Sequence, residues 1–97
     1  MTEMKPVSKA FVYILLCADE TLYTGWTTDP PRRLTEHQAG KASKYTRGRL
    51  PVRMIYIETC EDRSSALRRE AAIKKLSKVQ KRIMMQRVDE RQTGKES

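Results

Sequence analysis

The chain has 97 residues, 38% of them apolar, and a formal charge of +8 at neutral pH. That length bounds it to one compact domain with a modest core, and the grouping of the apolar residues into blocks excludes a disordered tail. No stretch is long enough to cross a membrane as a helix, and a basic excess of this size selects polyanionic partners.

The charge is unevenly spread. Lys41, Lys44, Arg47, Arg49 and Arg53 follow one another without an acid, and from Arg63 to Arg87 nine basic residues surround a single acid, Glu70. Segregation of this kind makes a positive surface suited to nucleic acid. The plainer alternative is a set of solvated helix faces on an ordinary basic protein. Cys17 and Cys60 make neither a metal spacing nor a disulfide framework, and read as core thiols at strand ends in a reducing, cytoplasmic compartment.

In chain order, residues 1–9 are polar and expected to be loose. Lys5 and Lys9 ahead of the apolar block 11–18 mimic a short signal peptide, but the block contains a tyrosine and no small-x-small cleavage site follows it. Ala10 to Cys17 therefore reads as a buried strand. Asp19-Glu20 is a turn, and Leu22 to Thr27 forms a second strand paired with the first as an antiparallel hairpin. Gly25 inside that strand implies a bulge or a close backbone approach. Asp29 and Pro30 open a helix as cap and first residue, running to about Ala39 and stopping at Gly40. The basic stretch Lys41 to Leu50 is a loop, and Pro51 to Thr59 a third strand. Asp62 caps a helix that begins near Arg63. Its apolar stripe breaks near Leu76-Ser77, which places a last helix at Lys78 to Val88 and a frayed end at 89–97. The result is one α+β domain over 10–88, a three-stranded antiparallel sheet flanked by helices in the order β-β-α-β-α-α.

Three clusters carry candidate chemistry. Glu70 falls in the middle of a helix face formed by Ala66, Leu67, Ala71 and Ile73, where a carboxylate is costly unless paired, bound to a metal or facing a cleft. A salt bridge to a neighbouring arginine is its structural alternative. Arg33 and His37, four residues apart, share one face of the first helix; an arginine suits a phosphoryl group, and His37 serves catalysis or structure equally well. Tyr13 and Tyr23 lie on paired strands and meet across the hairpin, as a cross-strand contact or as part of a site. A phenol titrates near pH 10, so a base role requires a cation close by, for which Arg33 and a metal on Glu70 are the candidates.

Phe11-Val12-Tyr13, then Tyr23-Thr24-Gly25, then an arginine and a histidine on the next helix and a glutamate on a later one, resemble the GIY-YIG nuclease domain. The runs Tyr23 to His37 and Gly40 to Pro51 are the specific part of the match, in the form of the small stand-alone bacterial members, and the likeness covers about residues 9–86. The resemblance implies a DNA endonuclease with one divalent metal, Mg²⁺ or Mn²⁺, held by Glu70. In it Tyr13 is the general base, Tyr23 orients substrate and water, Arg33 stabilises the phosphate and His37 assists. Gly25 lets the backbone come close to the site. The first motif has Phe11 in place of its glycine and the second has Thr24 in place of isoleucine, and both changes spare the tyrosines.

Nucleic-acid contacts are expected from Gly25, Lys41, Lys44, Tyr45, Arg47, Arg49, Lys74, Lys75 and Lys78, with DNA ahead of RNA and no membrane. The length leads to the expectation of no separate DNA-binding domain, and so of recognition of structure rather than sequence, in DNA repair or recombination. Two other readings stand beside this one. A non-catalytic nucleic-acid-binding module would use the same basic and aromatic residues, and an adaptor would dock on a protein partner that supplies specificity.

Overall fold

The structure is a computed structural model that describes residues 9–94. The expected loose segments lie partly outside it, at 1–8 and 95–97. Seven elements follow in order: β1 (Ala10–Leu16), β2 (Leu22–Thr27), α1 (Pro30–Gln38), α2 (Lys44–Arg47), β3 (Arg53–Cys60), α3 (Arg63–Lys74) and α4 (Lys78–Gly94). The sheet is antiparallel throughout with the strand order β2-β1-β3.

β1 is central, so both of its faces are covered and its residues read as a continuous apolar run. Val12 and Ile14 point to the side where α3 and α4 pack, joining Tyr56, Ala66 and Ile73, with Met84 and Met85 against them. Tyr13 and Leu15 point to the other side, among Tyr23, Leu34, Leu50 and Val52. The pairing of β1 with β2 is unbroken from Phe11 opposite Thr27 to Leu16 opposite Leu22. There is therefore no bulge at Gly25. The irregularity lies instead between Ile14 and Leu15, where β3 carries the extra residue Ile55.

The helix ends follow from their residues. Asp29 accepts a hydrogen bond from the Arg32 amide at 3.2 Å, with Pro30 in the first turn. At the other end Gly40, at φ 77°, donates to His37 O, and Lys41 donates to Glu36 O. These two bonds are the Schellman stop of α1, placing His37 in its last turn. Asp62 caps α3 through the Ser65 amide at 2.8 Å.

Three details differ from expectation. The segment 41–50 holds the short helix α2, because the Ser43 hydroxyl accepts from the Tyr45 and Thr46 amides. The last helix continues past Val88 to Gly94. On α3 the buried positions are Ala66 and Ile73, with Arg69 and Glu70 half-buried, whereas Leu67 is 49% exposed and Ala71 is exposed. The inward face is thus narrower and partly polar. Cys17 is a buried thiol as expected, while Cys60 is only half-buried.

Candidate active site

Gly25 sits directly opposite Tyr13 in the β1–β2 ladder. With no side chain there, the Tyr13 ring lies over the β2 backbone: a Cβ on Gly25 would meet Tyr13 Oη at 2.6 Å. The close approach inferred from the glycine is therefore made by Tyr13. This carries the phenol from the central strand out over the edge strand β2.

There Tyr13 Oη meets His37 Nε2 at 2.8 Å, and His37 Nδ1 meets Thr46 Oγ1 at 2.8 Å. His37 and Thr46 are both 0% exposed. Tyr23 stands edge-on to His37 with ring centroids 5.4 Å apart, and its centroid is 6.5 Å from that of Tyr13. Tyr45 of α2 stacks on Tyr23 at 5.8 Å, and the Arg49 guanidinium lies 3.9 Å above the Tyr45 ring. Arg49 is held in turn by Asp19 at 2.9 Å and by the Tyr45 carbonyl at 2.8 Å.

Arg33 projects from the same face of α1 as His37. Its Nε donates to Glu36 at 2.9 Å, and it borders a cavity of about 370 Å³ with Trp26, Thr27, Thr28 and Arg63. Glu70 stands on α3, in the opposite helical layer, which packs on both β1 and β2; it does not border the Arg33 cavity. Its side chain is 17% exposed and pairs loosely with Lys74 at 3.4 Å. Among the described residues no arginine pairs with Glu70, the expected alternative; Arg69 bonds Glu58 at 2.7 Å instead.

Burial dominates the electrostatics. It pushes Tyr13 up to about 12, with Tyr23 and Glu70 adding to the rise and the adjacent Arg33 opposing it. The field of Arg33 is thus too weak by itself to make Tyr13 acidic. Burial also lowers His37 below the ordinary histidine value, aided by Arg33 and opposed by Glu36. His37 is therefore neutral at pH 7 and able to accept a proton.

The chain matches the GIY-YIG catalytic domain over residues 9–83. It belongs to the GIY-YIG family. A UPF0213 protein of Natronomonas pharaonis is 54% identical over 71 residues, 73% of this chain and 84% of that one. A UPF0213 protein of Syntrophus aciditrophicus is 46% identical over 86 residues, 88% of this chain and 99% of that one. Among solved structures, a protein from E. faecalis superposes with a TM-score of 0.53 at 45% identity, covering 87% of this chain and 88% of that chain. A UPF0213 protein from Bacillus halodurans gives 0.51 at 42% identity, covering 78% and 81%. The two solved structures share the fold described here, and the chain spans most of the length of each of these relatives.

Of the residues singled out from the GIY-YIG resemblance, Tyr13, Tyr23, Arg33 and His37 converge on one side of the sheet, whereas Glu70 stands apart on α3, paired with Lys74. The expected nucleic-acid contacts divide. Lys41, Lys44, Tyr45, Arg47 and Arg49 lie on or beside α2, next to the site. Lys74, Lys75 and Lys78 lie at the α3–α4 junction on the other layer, where Lys78 donates to the Glu20 carbonyl at 2.7 Å. Two site residues were not anticipated. Thr46 carries no signal beyond following the capping Ser43 by three, and Arg63 joins the cavity only because the ends of β2 and α3 meet in space.

Among the described residues no three His, Cys, Asp or Glu side chains are grouped to cage a metal ion. A single half-buried carboxylate such as Glu70 nonetheless suits Mg²⁺, which keeps several waters and takes its remaining oxygens from a substrate phosphate. The donor set fits an ion shared with substrate, not a dedicated protein site.

Proposed function

We propose that the chain is a metal-dependent endonuclease that hydrolyses phosphodiester bonds in DNA, selecting structure over sequence, in repair or recombination. The observation that carries this reading is the 2.8 Å pair between Tyr13 Oη and the buried His37, beside Arg33. A tyrosine held at about 12 is a poor base alone at neutral pH, and the histidine removes that difficulty. As water attacks phosphorus it gives a proton to Tyr13 Oη, while Tyr13 passes its own proton to His37 Nε2. The new bond to the water oxygen replaces the P–O bond to one deoxyribose oxygen, which leaves and takes a proton from solvent water. One proton has then moved from the attacking water to imidazole, which releases it to solvent. Arg33 and Arg63, bordering one cavity, neutralise the phosphate oxygens. A Mg²⁺ or Mn²⁺ ion bound at Glu70 would supply Lewis-acid stabilisation of the charge developing on the phosphate.

The test is Mg²⁺-dependent cleavage of labelled linear, single-stranded, flapped and branched DNAs by wild type and Glu70→Ala. Cutting by the wild type that vanishes in the folded variant is expected. A second reading, a non-catalytic binding module, draws on the Arg49–Tyr45–Tyr23 stack beside Lys44 and Arg47. It gains if neither protein cuts while both bind DNA with the same salt dependence.

A further inference from the structure

The hydrogen bonds through His37 run in one direction. At one end the Arg33 guanidinium stands beside Tyr13, and a guanidinium only donates. At the other end the Ser43 carbonyl, which only accepts, lies 3.4 Å from Thr46 Oγ1. Between these ends, Tyr13 Oη, both nitrogens of His37 and Thr46 Oγ1 are linked by two contacts of 2.8 Å. One arrangement satisfies every group. The Thr46 hydroxyl donates to Ser43 O, His37 Nδ1–H donates to Thr46, and Tyr13 O–H donates to His37 Nε2. The reversed arrangement turns the Tyr13 proton toward a cation and withdraws the Thr46 proton from the carbonyl.

We propose that Thr46 is a positioning residue, which holds His37 in the Nδ1–H tautomer and so leaves Nε2 bare to receive the Tyr13 proton. This rests on the proton transfer of the proposed function. A hydroxyl at Nδ1 orients the ring without adding a negative charge, so the imidazole is not held permanently protonated. The other charged or titratable groups around it are Arg33 and Glu36 on its own helix, Tyr13 on β1 and Tyr23 on β2. Thr46 is locked from behind by the Ser43 cap, on a helix whose other residues, Lys44, Tyr45 and Arg47, are exposed. The same four-residue element thus fixes the tautomer and presents cationic and aromatic side chains to substrate.

His37 is the single histidine of the chain, so nitrogen-15 NMR of the imidazole reports on it directly. The wild type is expected to show the proton on Nδ1 and a bare Nε2, unchanged in Thr46→Ser. Thr46→Val removes the hydroxyl, and the signal is expected to move toward Nε2–H. Single-turnover cleavage should then fall on the order of tenfold, as for about 1.4 kcal/mol from one lost orienting hydrogen bond, with DNA binding unchanged. A wild-type proton on Nε2, or a folded Thr46→Val that keeps the Nδ1–H signature, overturns the proposal. If Thr46→Val fails to fold, the wild-type and Thr46→Ser spectra still decide it. The spectrum requires no turnover. The expected tautomer in a protein that cuts no DNA would leave the tautomer assignment standing and end the nuclease reading.

Discussion

Tyr13 reaches the site because the residue across from it has no side chain. Gly25→Ala would put a methyl group 2.6 Å from Tyr13 Oη, and the ring would have to shift. We expect a loss of about 1–3 kcal/mol in urea denaturation, the usual range for overpacking, together with loss of the contact to His37. Thr24, the departure from the family's isoleucine, is buried, and its Oγ1 has no hydrogen-bond partner among the described residues. Thr24→Val should therefore raise stability by about 1 kcal/mol, since it removes an unsatisfied polar group at nearly constant shape. His37 makes a third prediction at this scale. Its folded pKa lies below 6.5, so on acidification the unfolded chain binds the proton first. Stability is then full above about pH 6.5 and declines as pH falls toward the folded value. Melting temperatures measured from neutral to mildly acidic pH should fall more in wild type than in His37→Gln. As candidates, Tyr13, Tyr23, Arg33 and His37 were legible because two short motifs and one helical spacing contain them, and Glu70 because it is the lone acid in a basic helical segment. The pairing of Tyr13 with His37 was not, since it depends on the ring crossing Gly25, which no linear spacing encodes.

At the scale of elements, caps and stops were the most readable features. Asp29, Pro30, Gly40 and Asp62 mark helix ends by local chemistry that tertiary packing leaves intact. The start of α4 was also open to reading, as Ser77 and Gln80 bond each other's backbone amides in a capping box. What failed was the breadth of the α3 face. Periodicity placed Leu67 and Ala71 inward, but a two-layer contact with a three-stranded sheet covers only the line through Ala66 and Ile73. One contact joins α1 to the opposite side of its layer. The Gln38 side chain donates to Val52 O at 2.6 Å and accepts from Val52 N at 3.1 Å, acting as one more rung of backbone pairing. Gln38→Ala leaves both backbone groups of the buried Val52 short of a partner. It should destabilise the protein by roughly 1–3 kcal/mol, seen as a lower urea midpoint at unchanged slope.

Over the whole molecule, the charge pattern indicated a nucleic-acid partner, and the fold shows how that charge is distributed. Arg49, Lys74 and Lys78 are engaged with Asp19, Glu70 and Glu20, whereas Lys44 and Arg47 make no ion pair among the described residues and stand beside the site. Neutralising Lys44 or Arg47 should lower the slope of log affinity against log salt by about 1 each, as for a phosphate contact. A smaller effect is expected from Lys78→Ala. The proton relay turns on the oxygen of Tyr13, and Tyr13→Phe isolates it, because the ring over Gly25 stays while Oη goes. Single-turnover cleavage of the preferred DNA, with binding measured alongside, is the decisive measurement. A fall on the order of 10²-fold or more in rate at unchanged affinity is the predicted result for a lost proton-transfer group. A Tyr13→Phe protein that cuts as fast as wild type would contradict the account.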